Sequence, residues 1–533
     1  MFGARHAVLL SHADHEVSPP RVNVPREYNA AWDLIARNLG AGRGERIAYI
    51  DDHGRYSFAD LDRASARVAA LLKAAGLIAE QRVLLCMHDS FDWPATFLGA
   101  IRAGIVPVPL NTLLTVQDYA WMLADSGATV AIVSAPLLSL FEPLLKSVAG
   151  LRQIIVAGGE AAGHHSLKTM MESVVPADDI AATLADAACF WLYSSGSTGR
   201  PKGTVHVHSS LIHTAALYAR PVLEITAADT VFSAAKLFFA YGLGNALTFP
   251  LSVGACTVLM AERPSPDAVF KRLLEHAPTI FYGVPTLYAS LLASPALPVA
   301  ASLRLRRCTS AGEALPADIA SRWQRHFGLD ILDGIGSTEM LHIFLSNRAD
   351  DLRYGTTGKP LPGYATRIVD DDGQPVAAGD IGELQVSGPS AASMYWNNRD
   401  KSRTTFIGEW TRTGDKYRLD TDGYYVYCGR SDDMLKVGGI YVSPSEVESA
   451  LIDHPAVLEA AVVGRADDEQ LIKPAAYVVL NAGFAPDAAM VEALKQHVRA
   501  RLAPYKYPRW IEFLAELPKT ATGKIQRFKL RGA

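Results

Sequence analysis

The chain has few cysteines, no excess of either charge and no long apolar run, and each shortage removes a class of protein. Its five cysteines (Cys86, Cys189, Cys256, Cys308 and Cys428) are odd in number, widely spaced and never in a Cys-x-x-Cys pair, so neither a disulfide framework nor a zinc site is indicated. The net charge of −4, with acidic and basic residues interspersed, leaves no electrostatic footprint for nucleic acid or an anionic membrane. No stretch approaches the roughly 18 uninterrupted apolar residues of a spanning helix. The apolar stretch at 7–10 is too short for a signal-peptide core, so a cytoplasmic protein is expected. Tandem repeats and low-complexity segments are missing too, which removes solenoids and biased linkers.

What is present is an ordinary globular composition, 49% hydrophobic and 20% charged over 533 residues, too long for one core and enough for several subdomains. From about 46 to 345, short apolar runs at 83–86, 106–110, 130–133, 256–260, 280–283 and 303–308 read as strands with helical patterns between them. That alternation predicts βαβ units and a mostly parallel sheet covered on both faces, with sites at the strands' C-terminal ends. Beyond Gly363 the pattern becomes strand, Asp370-Asp371-Asp372-Gly373 turn and strand, which predicts a small antiparallel β-subdomain. A short polar run at 429–433 marks a boundary between an N-terminal domain (1–430) and a C-terminal one (431–533). In the latter, Ser443-Pro444-Ser445-Glu446 reads as a capping box with Pro at the first helical position, opening a helix to about Asp453.

The sharpest local signal is Tyr193-Ser194-Ser195-Gly196-Ser197-Thr198-Gly199-Arg200-Pro201-Lys202-Gly203. Glycines let backbone N–H groups approach an anion closely, and the hydroxyls with Lys202 add donors. The composition therefore suits a phosphate cradle, and suits a plain Ser/Gly surface turn equally. The Walker spacing G-x-x-x-x-G-K-[ST] is not met, which argues against a P-loop fold. This stretch resembles the signature loop of the adenylate-forming superfamily, the acyl-CoA synthetases, luciferases and peptide-synthetase adenylation domains. Further stretches resemble that family's motifs in its order: Ser310-Ala311-Gly312-Glu313-Ala314-Leu315-Pro316, Gly336-Ser337-Thr338-Glu339, Trp410-Thr411-Arg412-Thr413-Gly414-Asp415, Gly429-Arg430-Ser431-Asp432-Asp433 and Pro518-Lys519-Thr520-Ala521-Thr522-Gly523-Lys524. The resemblance spans about 30–530 and is nearest to the benzoate-CoA ligases.

The resemblance implies an α/β N-terminal domain of two βαβ-type sheets plus a small β-subdomain, and a smaller, mobile α+β lid hinged at 431–433. It implies ATP, Mg2+ and CoA: a carboxylate plus ATP gives acyl-AMP and pyrophosphate, and the CoA thiol then displaces AMP. Ser194, Ser195, Gly196, Ser197, Thr198, Gly199 and Lys202 are its implied phosphate-binding residues, and Gly312, Glu313 and Ala314 its adenine-side loop. Asp415 can accept two ribose hydroxyl hydrogen bonds and Arg430 adds a cation nearby; in isolation the two fit a surface ion pair. Glu339 and Thr198 are implied ligands of Mg2+, a cation that prefers hard oxygens. Thr338 is implied to touch the adenylate phosphate. Lys524 is the implied catalytic cation, neutralising charge on the α-phosphate and the attacking carboxylate. Asp432 is the implied hinge pivot, and Gly438 and Gly439 the implied wall of a pantetheine tunnel.

Lys236-Leu237-Phe238-Phe239-Ala240-Tyr241-Gly242-Leu243-Gly244-Asn245 occupies the family's substrate segment. The acyl pocket expected by this resemblance takes Phe239, Tyr241, Gly242, Ile335, Gly336, His342 and Ile343, with Met340 and Leu341 beside them. An aromatic cluster before a Gly-rich helix start resembles aryl-CoA ligases. No acidic residue lies between Lys236 and Pro250 to hold a substrate amine, which disfavours amino acids. Ile335 stands where the family has a tyrosine. A small aromatic acid, benzoate first, is expected; another aryl or medium-chain acid, or a stand-alone module loading a carrier protein, are the alternatives. His206, His208 and His213 lack a nearby carboxylate or cysteine, so packing is favoured over metal ligation. Tyr505, Lys506, Tyr507 and Arg509 form a short aromatic-basic cluster that reads as a solvated face open to CoA phosphates. A monomer or homodimer is expected.

Overall fold

Strands that are apolar on both faces need cover on both sides, and two such sheets build the large part of the molecule. The computed structural model describes residues 10–159, 163–177, 179–196, 199–431, 433–437, 440–467, 471–519 and 525–531. One sheet is five-stranded and parallel, in the spatial order Val106–Pro109, Arg82–Cys86, Val130–Ser134, Gln153–Ala157 and His165–Ser166. The other is nine-stranded, with Ile331–Gly336, Arg307–Ser310, Ile280–Gly283, Thr230–Ser233, Cys256–Val258 and Ile47–Asp51 parallel at its centre. Its edges are antiparallel, Ile343–Ser346 and Lys359–Pro360 on one side and Gly54–Ser57 on the other.

The expected run at 303–308 is displaced, because the strand is Arg307–Ser310. Leu303-Arg304-Leu305 alternates like a strand, yet the chain meets its neighbour only where the Arg306 and Arg307 amides reach Thr279 O. The Arg306 side chain instead turns to Asp229, at 2.7 and 2.8 Å. Helix Ala317–Phe327 buries Ile319, Ala320, Trp323 and Phe327, one stripe at helical spacing, and stops at the left-handed Gly328.

The antiparallel part consists of Ala365–Val369, Gly382–Ser387, Trp410–Leu419, Phe406–Ile407 and Tyr425–Arg430. The Asp370 turn is held by its own carboxylate, which accepts from the Asp372 and Gln374 amides. Residues beyond Leu435 have a separate core, in which helix Pro444–Ile452 packs Val447 and Leu451 against Val462, Val478 and Leu494. The capping box there is only half formed. Ser443 Oγ accepts the Glu446 amide at 3.3 Å, but the Glu446 carboxylate takes Lys506 Nζ at 2.7 Å, a charge-assisted bond that outcompetes the backbone donor. Among the described residues no helix is long and apolar enough to cross a membrane.

Candidate active site

Strands Ala188–Gly196 and Gly199–Val207 pair antiparallel, which brings the described residues of the Ser/Gly run to the Gly196–Gly199 end of the pair. Ser197 and Thr198 lie outside the described residues, while Ser195, Gly196 and Gly199 belong to the hairpin backbone. Met394–Tyr395 adds a third strand, with Tyr395 opposite Thr204. That pairing brings four polar groups together. Glu339 Oε1 accepts from Ser194 Oγ at 3.2 Å and from the Tyr395 hydroxyl at 2.7 Å, and Lys202 Nζ stands 4.7 Å over the Tyr395 ring. Burial lowers the Lys202 pKa, opposed by the Glu339 charge. Tyr395 was not expected: it is separated from Glu339 by 56 positions, and only the sheet joins them.

Glu339 sits on the turn that follows Ile331–Gly336. A Cβ at Gly336 would lie 2.5 Å from the His342 carbonyl oxygen, so the chain can double back here only on glycine. The Thr338 carbonyl accepts from His206 Nε2 at 2.7 Å. His206 is fully buried and its pKa is lowered to about 4, so a neutral ring donates from Nε2. Asp415 and Arg430 are register partners on adjacent strands, with Nη1 and Oδ1 3.0 Å apart. The Gly312-Glu313-Ala314 loop follows Arg307–Ser310, and Glu313 Oε1 accepts the Ile525 amide at 3.0 Å, tying this loop to the residue after Lys524. A second unforeseen group is Asp333, whose buried carboxyl has its pKa pushed well above the usual range by desolvation. Lys524, Asp432, Gly438 and Gly439 lie outside the described residues.

Phe239 precedes the short helix Ala240–Leu243, which runs on as a π-helical turn, Gly244–Thr248, and helix Phe249–Val253. A Cβ at Gly242 would fall 2.0 Å from Lys236 O, so this tight start requires glycine. Tyr241 and Thr309 share a hydroxyl hydrogen bond of 2.7 Å. His342 Nε2 lies 3.2 Å from both Tyr241 O and Asn245 Oδ1, and its ring meets Phe249, Tyr241 and Tyr218 at 4.5, 5.4 and 5.5 Å. Burial lowers the His342 pKa to about 3, so this ring is neutral. Asn245 ends the expected substrate segment. Phe239, Tyr241, Ile335 and Gly336 are half-buried, whereas Ile343 is fully inside the core. The Lys236 ammonium is held by Met260 O and Glu262 O.

The other two histidines of the 206–213 cluster, His208 and His213, pack. His208 Nδ1 accepts the Ala30 amide at 3.2 Å, and burial lowers the pKa of His208 and His213 to about 4. Among the described residues no group of three or more His, Cys, Asp or Glu could hold a metal ion. These imidazoles bind a proton near pH 6.5 when unfolded but only near 4 when folded, so their contribution is complete above 6.5 and is lost as pH falls towards 4. Each is expected to remove up to about 1.4 kcal/mol per pH unit in that window. Melting temperatures measured from pH 7.5 to 4.5 should therefore decline, more shallowly for His208→Gln. In the C-terminal cluster, Lys506 is committed to Glu446, and Arg499 and Arg509 lie 4.1 and 4.6 Å over the Tyr507 ring.

Residues 37–396 match the AMP-binding enzyme family and 446–524 the AMP-binding enzyme C-terminal domain. The chain is 62% identical to a benzoate–CoA ligase of Thauera aromatica, over 98% of this chain and 99% of the relative. Its structure is similar to that of a benzoate CoA ligase from Burkholderia xenovorans LB400, at 55% identity and a TM-score of 0.90, covering 94% of this chain and 99% of the other. It is also similar to the anthranilate CoA ligase AuaEII in complex with anthranoyl-AMP, at 43% identity and a TM-score of 0.92, covering 96% and 98%. With the family match extending over most of the chain and that relative matched end to end, the chain belongs to the AMP-binding enzyme family.

Proposed function

We propose that this protein is an ATP-dependent benzoate–CoA ligase. The observation that carries the reading is the 62% identity to a benzoate–CoA ligase over nearly the whole of both chains. The pocket supports it: a wall of Phe239, Tyr241 and Ile335 beside a neutral His342 suits a flat, apolar ring, and its segment has no carboxylate to hold a substrate amine.

In the first step a benzoate oxygen attacks the ATP α-phosphorus, the bond to the β-phosphate bridging oxygen breaks, and pyrophosphate leaves. Ser194, Lys202 and the hairpin tip hold the phosphates, Asp415 and Arg430 hold the ribose, and Gly312-Glu313-Ala314 borders the adenine. Lys524 stabilises the charge that grows on the α-phosphate. In the second step the CoA thiol gives up its proton to solvent, its sulfur attacks the benzoyl carbonyl, and AMP leaves with the anhydride oxygen. Asp432 serves as the pivot between the two steps, with Gly438 and Gly439 flanking the pantetheine.

The donor set at Glu339 fits Mg2+. One carboxylate with the Ser194 and Tyr395 hydroxyls beside it suits a cation that keeps several waters and takes phosphate oxygens rather than a full protein cage. When bound, the ion supplies charge neutralisation for the ATP phosphates. The reading requires one AMP and one thioester for every benzoate consumed, measured by nucleotide chromatography and thioester absorbance; AMP formed without thioester when CoA is the thiol supplied would reject it.

A further inference from the structure

An open cavity of about 420 Å³ lies on the outer side of helix His208–Thr214 and its π-helical continuation, Ala215–Ala219. The same turns press Tyr218 against His342 on their inner side, so this cavity is separate from the aromatic pocket. Its charged and titratable lining is Arg37, Arg43, Arg220, His12 and His15, and no carboxylate belongs to its wall. Arg37 is committed to Asp33 and Ser11, at 2.5 and 2.8 Å, and Asp33 is buried behind it. The other two guanidiniums are not neutralised. Arg43 is fixed by Asn38 Oδ1 at 2.9 Å, and Arg220 reaches Ile225 O at 3.1 Å; among the described residues neither pairs with an acid. The groups lie close enough to act on one another: burial and then Arg220 disfavour a proton on His15, against the pull of the neighbouring Asp14, and burial with Arg46 and Arg37 lowers the Arg43 pKa.

Like charges gathered in one concavity repel one another, and an anion seated among them removes that repulsion while gaining charge-assisted hydrogen bonds. We propose that this cavity is a binding site for a phosphate-type oxyanion carrying two or more negative charges. Arg43 and Arg220 are its principal donors, the Arg37–Asp33 pair its floor, and the histidines its rim. Arginine suits the task because its planar fork meets phosphate oxygens two at a time.

The test is calorimetric titration of the full chain with inorganic phosphate and, separately, with pyrophosphate, in chloride buffer of matched ionic strength and without ATP. Two variants divide this site from the catalytic phosphate cradle. Arg43→Gln/Arg220→Gln should weaken one binding event by at least about tenfold, the scale of losing charged hydrogen bonds. Lys202→Ala should leave that event in place, and Arg220→Lys should largely retain it. If the double variant does not fold, Arg220→Gln alone carries the comparison, since Arg220 is exposed. A preference for pyrophosphate over phosphate would identify the more highly charged ligand. An event that survives the Arg43→Gln/Arg220→Gln change, one that disappears with Lys202→Ala, or a response that chloride reproduces would overturn the proposal, and none of these depends on which acid the enzyme activates.

Discussion

Lys524→Ala should lower benzoate-dependent pyrophosphate exchange by about 10²–10³-fold, the scale of removing one preorganised donor from a developing anion. Thioester formation from supplied benzoyl-AMP and CoA should stay near the wild-type rate, because the proposed turn about Asp432 carries Lys524 away from the phosphate before the thiol attacks. The geometry around the lysine gives the expectation its form. The next residue, Ile525, donates its amide to Glu313, on the loop proposed to border the adenine. Two positions further on, Arg527 anchors the same segment to Glu448. In the proposed function Lys524 serves the first half-reaction and not the second. Equal losses in the two half-reactions would contradict this division.

Glu448→Ala should cost about 3–5 kcal/mol of the stability of the C-terminal part, the range for removing one partner of a buried ion pair. Glu448 accepts from Arg527 through both carboxylate oxygens, at 2.8 to 3.0 Å, and also accepts the Val462 amide at 2.7 Å. Both side chains are largely inside, at 22% and 9% exposure for Arg527 and Glu448. Deleting the carboxylate strands a guanidinium in a poorly hydrated site and orphans a strand amide. A Glu448→Met/Arg527→Met double variant should recover most of the loss, since an apolar pair leaves no buried charge. Urea denaturation followed through the C-terminal part would measure both. A Glu448→Ala variant as stable as wild type would show that the pair is solvated.

The features legible in the sequence are those whose signal is local. Apolar runs such as the one at 130–133 announce strands because a parallel strand buries both faces, and the runs at 83–86 and 280–283 announce theirs in the same way. The α/β class and the antiparallel segment after Gly363 followed from such runs, and the two sheets from the family resemblance that the ordered motifs carry. What stayed hidden was made by contacts between distant segments. Tyr395 reaches Glu339 only because Met394–Tyr395 pairs with the hairpin, and nothing around Tyr395 marks it. The His206 bond to Thr338 O and the Glu313 bond to Ile525 are of the same kind. Where local signals misled, a long-range partner had won. Lys506 drew the Glu446 carboxylate from its cap, and Asp229 drew Arg306 out of an alternation that mimics a strand.

The measurement that bears most directly on the proposed function is acid-dependent AMP release from ATP, with and without CoA, across benzoate, 4-hydroxybenzoate, 2-aminobenzoate, acetate, hexanoate and amino acids. Benzoate should lead the series, and sustained release should require CoA, because the thiol is what frees the site of its adenylate. A series led by acetate or hexanoate, or no sustained release with any of these acids when CoA is the thiol supplied, would contradict it.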